Sequence, residues 1–227
     1  MIMNEGALKK YLLEKDIHLI GDYFKRDSSK INVSSQIDLI IKLQDVLMGY
    51  HSIEKNSILS EIGKRVDRLV VSNKKLENII SRDNFYGRLI LARTKIELDK
   101  LDNIYLEDIY KRAMKKDEIC IDKVDETNLR VMEKVEVGKI KKISFNIVED
   151  DFINYLLKIK KKSSKDDLKN YAEEYVEKNN LSKDSLNYIN CMVNIPHEGI
   201  KYLYKNRFNL NECKDDIKKI VEKELEF

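Results

Sequence analysis

The chain of 227 residues carries 43 Lys+Arg against 40 Asp+Glu, a net charge of +3, with 42% hydrophobic and 37% charged residues. That leaves room for one domain or two small ones with a real core, and it is too apolar and too balanced in charge for a disordered chain. One proline and seven glycines are too few for the tight turns of an all-β domain.

In chain order, the start MIMNEGALKKYLLEKD is charged throughout and lacks the apolar core of a secretory signal. Ser34 or Ser35 is placed to cap a helix whose apolar residues Ile37, Ile40, Ile41, Leu43 and Leu47 run up to Gly49. Asn56 is the expected cap of a longer helix, with Ile58, Leu59, Ile62, Val66, Leu69 and Val70 on one stripe. Phe85, Leu89, Ala92 and Ile96 draw the next stripe, and a helix over 104–116 ends in basic residues that suit its dipole. From Ile119 to Ile147 the period drops towards two, with Leu129, Val131, Val135 and Val137 on one side and Ile143, Phe145 and Ile147 alternating after Gly138. This predicts a small antiparallel β element. Helices resume with Phe152, Ile153, Leu156 and Leu157, and the polar stretch KKKSSKDD separates that helix from the next. Ser182 is the expected cap of a helix carrying Leu186, Ile189 and Val193, which Pro196 helps to end. A last helix lines up Cys213, Ile217, Ile220, Val221 and Leu225. The expected class is therefore mainly α with a small β element, an α+β fold.

Charge and chemistry-bearing residues are scattered. The basic clusters Lys111, Arg112, Lys115 and Lys116, then Lys139, Lys141 and Lys142, then Lys158 with Lys160, Lys161 and Lys162, lie near acidic runs. Those runs are Asp117–Glu118, Glu149–Asp151 and Asp166–Asp167. Interleaved charge of this kind predicts solvated helix faces and no nucleic-acid partner. No run approaches ~18 apolar residues, so no membrane span is expected. Cys120, Cys191 and Cys213 form no zinc spacing and no disulfide framework, and are expected to be buried. His18, His51 and His197 offer no metal pair, and no metal site is expected. His51-Ser52 is not read as a hydrolase pair. Asp122, Asp125 and Glu126 form an acidic cluster without EF-hand spacing, expected to be solvated loop carboxylates.

The segment Ile119-Cys120-Ile121-Asp122-Lys123-Val124-Asp125-Glu126-Thr127-Asn128-Leu129 resembles a degenerate form of the loop I-C-H-G-D-x-x-x-x-N-I. That loop belongs to the aminoglycoside-phosphotransferase and choline-kinase-like superfamily, and Ile143-Ser144-Phe145-Asn146 resembles its I-D-F-D. Leu181 to Tyr204 (LSKDSLNYINCMVNIPHEGIKYLY) is similar to a stretch of the kinase-like spore coat proteins of endospore-forming bacteria. Asp151 to Lys158 (DFINYLLK) is similar to that family's D-L-A-x-F-L-x-K helix. The resemblance implies the helical C-terminal lobe of a kinase-like fold over 35–227, with its hairpin near 119–147. Residues 1–34 would then be a short N-terminal segment standing for a reduced, vestigial N-lobe.

Against the family pattern, Lys123 stands five residues before Asn128, where the substrate-orienting Asp is expected, and Ile121 takes the place of the histidine. Asp122 falls on the glycine, Ser144 on the metal-binding Asp, and Asn146 on the last Asp. A hydroxyl is a poor anchor for Mg²⁺, and losing both carboxylates removes most of the electrostatics of phosphoryl transfer. Gly6 and Gly21 are isolated, and no G-x-G-x-x-G appears. The expectation is a non-catalytic spore coat protein, made in the mother-cell cytoplasm, deposited on the spore and binding other coat or morphogenetic proteins. No cofactor is expected, and Asn128 and Asn146 are the residual cofactor-binding positions. The alternatives are an active small-molecule phosphotransferase using Asp122 or Asp125 with ATP and Mg²⁺, and a helical adaptor unrelated to kinases.

Overall fold

The computed structural model describes residues 5–25, 32–48, 50, 58–210 and 214–225. In chain order the elements are α1 (Glu5–Glu14), β1 (Ile17–Leu19), α2 (Val33–Met48), β2 (Leu59–Ser60), α3 (Lys64–Ile79), α4 (Phe85–Leu101) and α5 (Leu106–Lys116). Then come β3 (Ile119–Cys120), β4 (Leu129–Val131), β5 (Val135–Val137), β6 (Ser144–Phe145), α6 (Val148–Ile159) and a 3-10 turn at Lys160–Lys162. The chain finishes with α7 (Lys165–Lys178), α8 (Lys183–Asn194), α9 (His197–Lys205) and α10 (Lys214–Leu225). The protein is mainly helical with small mixed sheets, the α+β class that the periodicity predicts.

Two compact units form. The first gathers Met1–Ile62 and Glu107–Ile189, the second Gly63–Leu106 and Asn190–Phe227. Contacts thus divide the chain near residues 62, 106 and 189, where the sequence reading drew its boundary at residue 34.

All described strands lie in the first unit, in two three-stranded sheets. The expected hairpin is β4–β5, with Leu129 opposite Val137, and β1 adds to it in parallel, with Ile17 opposite Val135. In the other sheet β6 is central. It pairs antiparallel with β3, Cys120 opposite Ser144, and parallel with β2, Leu59 opposite Ser144. Leu129, Val135 and Val137 are buried as the alternation predicts, while Val131 is exposed. Around these sheets α2 packs on α7, and α6 on β3. The Phe152 ring stacks on Tyr175 at 3.9 Å, and the Tyr175 hydroxyl donates to Gln44 Oε1 at 2.9 Å. Gln44 Nε2 in turn reaches the Val148 carbonyl at 2.9 Å, so the polar groups of this core pair with each other.

Several local expectations shift. α2 begins at Val33, and Asn32 is its cap, its side chain accepting from Ser35 N at 3.2 Å; Ser34 and Ser35 sit inside the first turn. Asn56 and the pair His51-Ser52 lie outside the described residues. α3 starts only at Lys64, because Gly63 takes a left-handed φ of 78°, and Leu59, read as part of a helical stripe, is strand and 68% exposed. On α4 the buried face is Gly87, Ile90, Leu91, Thr94, Glu97 and Leu101; Phe85 and Ile96 of the predicted stripe are 64% and 51% exposed. Two polar residues on the buried face, Thr94 and Glu97, disguise it in sequence. The Thr94 hydroxyl donates to the Ile90 carbonyl, and Glu97 pairs with Arg93 and Lys100. The last three residues of KKKSSKDD begin α7, whose capping box joins Ser164 and Asp167. Ser182 caps α8 as expected, accepting from Ser185 N at 3.2 Å. Ile217 and Val221 are buried on α10, as read. Cys120 and Cys191 are buried, while Cys213 lies outside the described residues.

Candidate functional site

The loop from Ile121 to Asn128 leaves β3 through Asp122, whose φ of 70° is left-handed, and two side chains from other segments and one of its own fix its backbone. Asp151, in the first turn of α6, accepts from Ile121 N at 3.0 Å and Asp122 N at 2.8 Å. Burial pushes the Asp151 carboxyl up to about 7 even though both amides pull the other way. Gln36 of α2 donates to the Val124 and Leu129 carbonyls at 2.8 and 3.1 Å. Asn128 donates to the Lys123 carbonyl at 2.7 Å and accepts from Lys139 N at 2.7 Å, tying the start of the loop to the segment just after the hairpin. The loop is therefore a built feature, with most of its polar backbone accounted for.

Within it, Ile121 is buried and Asp122 is exposed, its carboxylate accepting from Asn154 Nδ2 at 2.8 Å. Lys123 holds its ammonium 3.6 Å from the centroid of the Tyr23 ring, and Lys141 approaches the same ring at 5.3 Å. Asp125, expected in solvent, is buried. Against the cost of burial, Lys158 at 2.5 Å and the Thr127 donors hold its carboxyl below the ordinary aspartate value. Glu126 also departs from the solvated expectation: both its carboxylate oxygens are buried without a hydrogen-bond partner among the described residues. They lie near the Tyr155 phenol, which burial and this carboxylate push well above the ordinary tyrosine value.

Across the sheet, Ser144 is buried in β6 opposite Cys120. Asn146 follows; its Nδ2 donates to Asp150 at 2.8 Å, its Oδ1 is buried without a partner among the described residues, and its backbone N–H donates to the Glu118 carbonyl. Tyr188 closes the group from α8, donating to Asp150 at 3.0 Å.

The N-terminal segment runs on from β1 across this loop. Ile20 N donates to Val137 O at 2.9 Å, Gly21 N to the Gly138 carbonyl, and Phe24 N to Thr127 O at 2.9 Å. Gly21 has a φ of 104°, which lets the strand turn over the hairpin end. Gly138 is needed for closeness instead: a Cβ there would lie 2.7 Å from Asp22 O and 2.8 Å from Asn128 Oδ1. Arg130 covers the Phe24 ring at 3.8 Å, completing a cation-capped aromatic pair on the segment.

The structure thus brings Ile121, Lys123, Asn128, Asp122 and Asp125 into one loop and sets Ser144 on, and Asn146 just after, the strand that pairs with the strand before it. Where the resembled pattern has carboxylates, the loop offers an ammonium and the strand a hydroxyl. Among the described residues no group of three His, Cys, Asp or Glu side chains is arranged to hold a metal ion. Likewise, no helix among them is long and apolar enough to cross a membrane.

Two features escaped sequence reasoning. The anchoring role of Asp151 was hidden because the run Glu149–Asp151 looked like a solvated helix start, whereas all three are buried. The other is a buried ion cluster. Arg112 on α5 reaches Glu118 at 2.8 and 3.0 Å, Glu149 at 2.8 and 2.7 Å, and Ser185 Oγ at 3.1 Å. Although burial alone would favour losing its proton, the two carboxylates raise the guanidinium's pKa further, so Arg112 stays charged. The wide apolar stretches flanking Glu118 and Glu149, Ile119–Ile121 and Ile147–Val148, were the signal that could have found it. No protein-family model matches the chain, and a search of the curated proteins finds no match.

Proposed function

We propose that this chain is a non-catalytic, kinase-like (pseudokinase) spore coat protein, a structural or assembly component that works by contact with other coat or morphogenetic proteins. The observation that carries this reading is Lys123. It stands where the resembled pattern has its substrate-orienting carboxylate, the loop is anchored by Asp151 and Asn128, and the Lys123 ammonium is engaged by Tyr23 of the chain's own N-terminal segment. An ammonium neither accepts a proton from a hydroxyl nor holds Mg²⁺. Neither nearby acid takes over readily: Asp125 is locked to Lys158, and Asp122 faces solvent beside Asn154. A loop retained while its chemistry is replaced fits a scaffold better than an enzyme.

The test is a fluorescent fusion followed through sporulation in the source bacterium, with a turnover assay on the purified protein. Signal gathering from the mother-cell cytoplasm onto the spore surface is expected, with no ATP consumption above a buffer blank. Diffuse signal in vegetative cells, or ATP-dependent turnover abolished by Asp122→Asn with Asp125→Asn, would overturn it.

A further inference from the structure

In the second unit, a cavity of about 320 Å³ is lined by Ile79, Ser81, Asn84, Arg207, Phe208 and Leu210, with Asn209 beside them. Its floor is the start of α4. Asn84 caps that 17-residue helix, its Oδ1 accepting from Gly87 N at 2.9 Å. The approach is so close that a Cβ on Gly87 would fall 2.9 Å from that oxygen. With Oδ1 turned to the helix, Nδ2 is left on the other side, and it has no acceptor among the described residues although Asn84 is only 4% exposed. A buried amide donor without a partner is costly, so an acceptor supplied from outside the chain is favoured there.

The rest of the lining matches such an acceptor. The helix start contributes a positive dipole end. Arg207 is pinned rather than waving: Nη1 donates to the Tyr204 carbonyl at 2.8 Å, and the guanidinium stacks 4.8 Å from the Tyr204 ring and 4.6 Å from Phe208. Its remaining N–H groups have no protein acceptor among the described residues, and Ser81 and Asn209 add further polar groups. Phe208 is 83% exposed, a ring face open beside the guanidinium, with Ile79 and Leu210 extending the apolar side. In the turn itself, Arg82 balances Asp83, so Arg207 decides the local sign.

We propose that this cavity binds a small organic oxyanion, with its carboxylate or phosphate head held by Asn84 Nδ2 and Arg207 and a flat apolar body lying on Phe208. Volumes of this order suit small metabolites. The site is separate from the kinase-like loop and stands whether or not that reading holds.

The intact protein is titrated with phenyl phosphate, benzoate and inorganic phosphate, following binding by calorimetry and by the Asn84 side-chain amide resonance. Saturable binding of phenyl phosphate or benzoate is expected, tighter than inorganic phosphate, and the better of the two names the head group. Asn84→Asp keeps the cap, since Asp serves as well as Asn there, but removes the donor and repels the anion. It should weaken binding about tenfold or more, the scale of one charge-assisted hydrogen bond, with melting within about 2 °C of the parent. Arg207→Gln should weaken it comparably. No saturable binding by either aromatic probe, or affinities unchanged in both variants, overturns the proposal.

Discussion

Replacing Arg112 by Leu strips the paired cation from two carboxylates that are almost completely buried: Glu118 and Glu149 expose 2% and 0% of their side chains. The guanidinium makes four bonds of 2.7–3.0 Å to them, and Glu118 also accepts from Val148 N at 3.1 Å. Removing one partner of a buried pair typically costs about 3–5 kcal/mol because the remaining charge is uncompensated. For a chain of this size that is a fall in melting temperature of roughly 6–20 °C. The deficit must also depend on pH. Without Arg112, burial and mutual repulsion raise both glutamate pKa values in the folded variant. A group whose folded pKa is raised gives stability that is present at low pH and lost as pH rises through the folded value. The variant should therefore recover part of its loss when urea melts are moved from pH 7.5 to pH 5. Adding Glu118→Gln and Glu149→Gln should restore most of it at both values. A deficit below about 1 kcal/mol, the scale of an exposed pair, or one identical at both pH values, would refute the buried-cluster reasoning.

Asp151→Asn probes the loop anchor. The carboxyl shifts from 3.8 when unfolded to about 7 when folded. Stability linked to it is thus full below about pH 4 and declines as pH rises through 7, by about 4 kcal/mol over the whole window. The Asn variant lacks that decline, so the difference between the two proteins in guanidinium melts should change sharply between pH 4.5 and 8; parallel profiles would contradict it. Gly138→Ala places a methyl within 2.7 Å of Asp22 O. The expected loss is about 1–3 kcal/mol, with faster hydrogen exchange at the amides of Ile20, Gly21 and Phe24. Unchanged exchange there would mean the N-terminal segment does not depend on that close contact.

Local signals were the legible part of the sequence. Ser182 reads as a cap and is one; the alternation over 129–137 gives the hairpin; the scattered cysteines are buried where described. Long-range pairing was not legible. Nothing in Ile17–Leu19 announces a parallel partner at Val135–Val137, because period-two alternation names a face and never a neighbour. Charge patterning misled for a related reason. Glu149, Asp150 and Asp151 look like a solvated helix start, and only the fold reveals that backbone amides, Arg112, Asn146 and Tyr188 receive them inside. The resemblance singled out Lys123, Asn128 and Ser144 in the loop and strand. That Tyr23 covers Lys123 depended on a chain crossing of one hundred residues and had no local signal.

The most direct test of a kinase-like loop without nucleotide chemistry is thermal melting of the purified protein with and without saturating Mg²⁺–ATP. A ligand at about 100 times its Kd adds roughly 2.7 kcal/mol, a rise of roughly 5–10 °C for a chain this long. With Lys123 and Ser144 standing where the resembled pattern has its acidic residues, cooperative melting with no shift is expected on the proposed reading. A reproducible rise of that size, lost in Asn128→Ala, would contradict it and make the loop a nucleotide site.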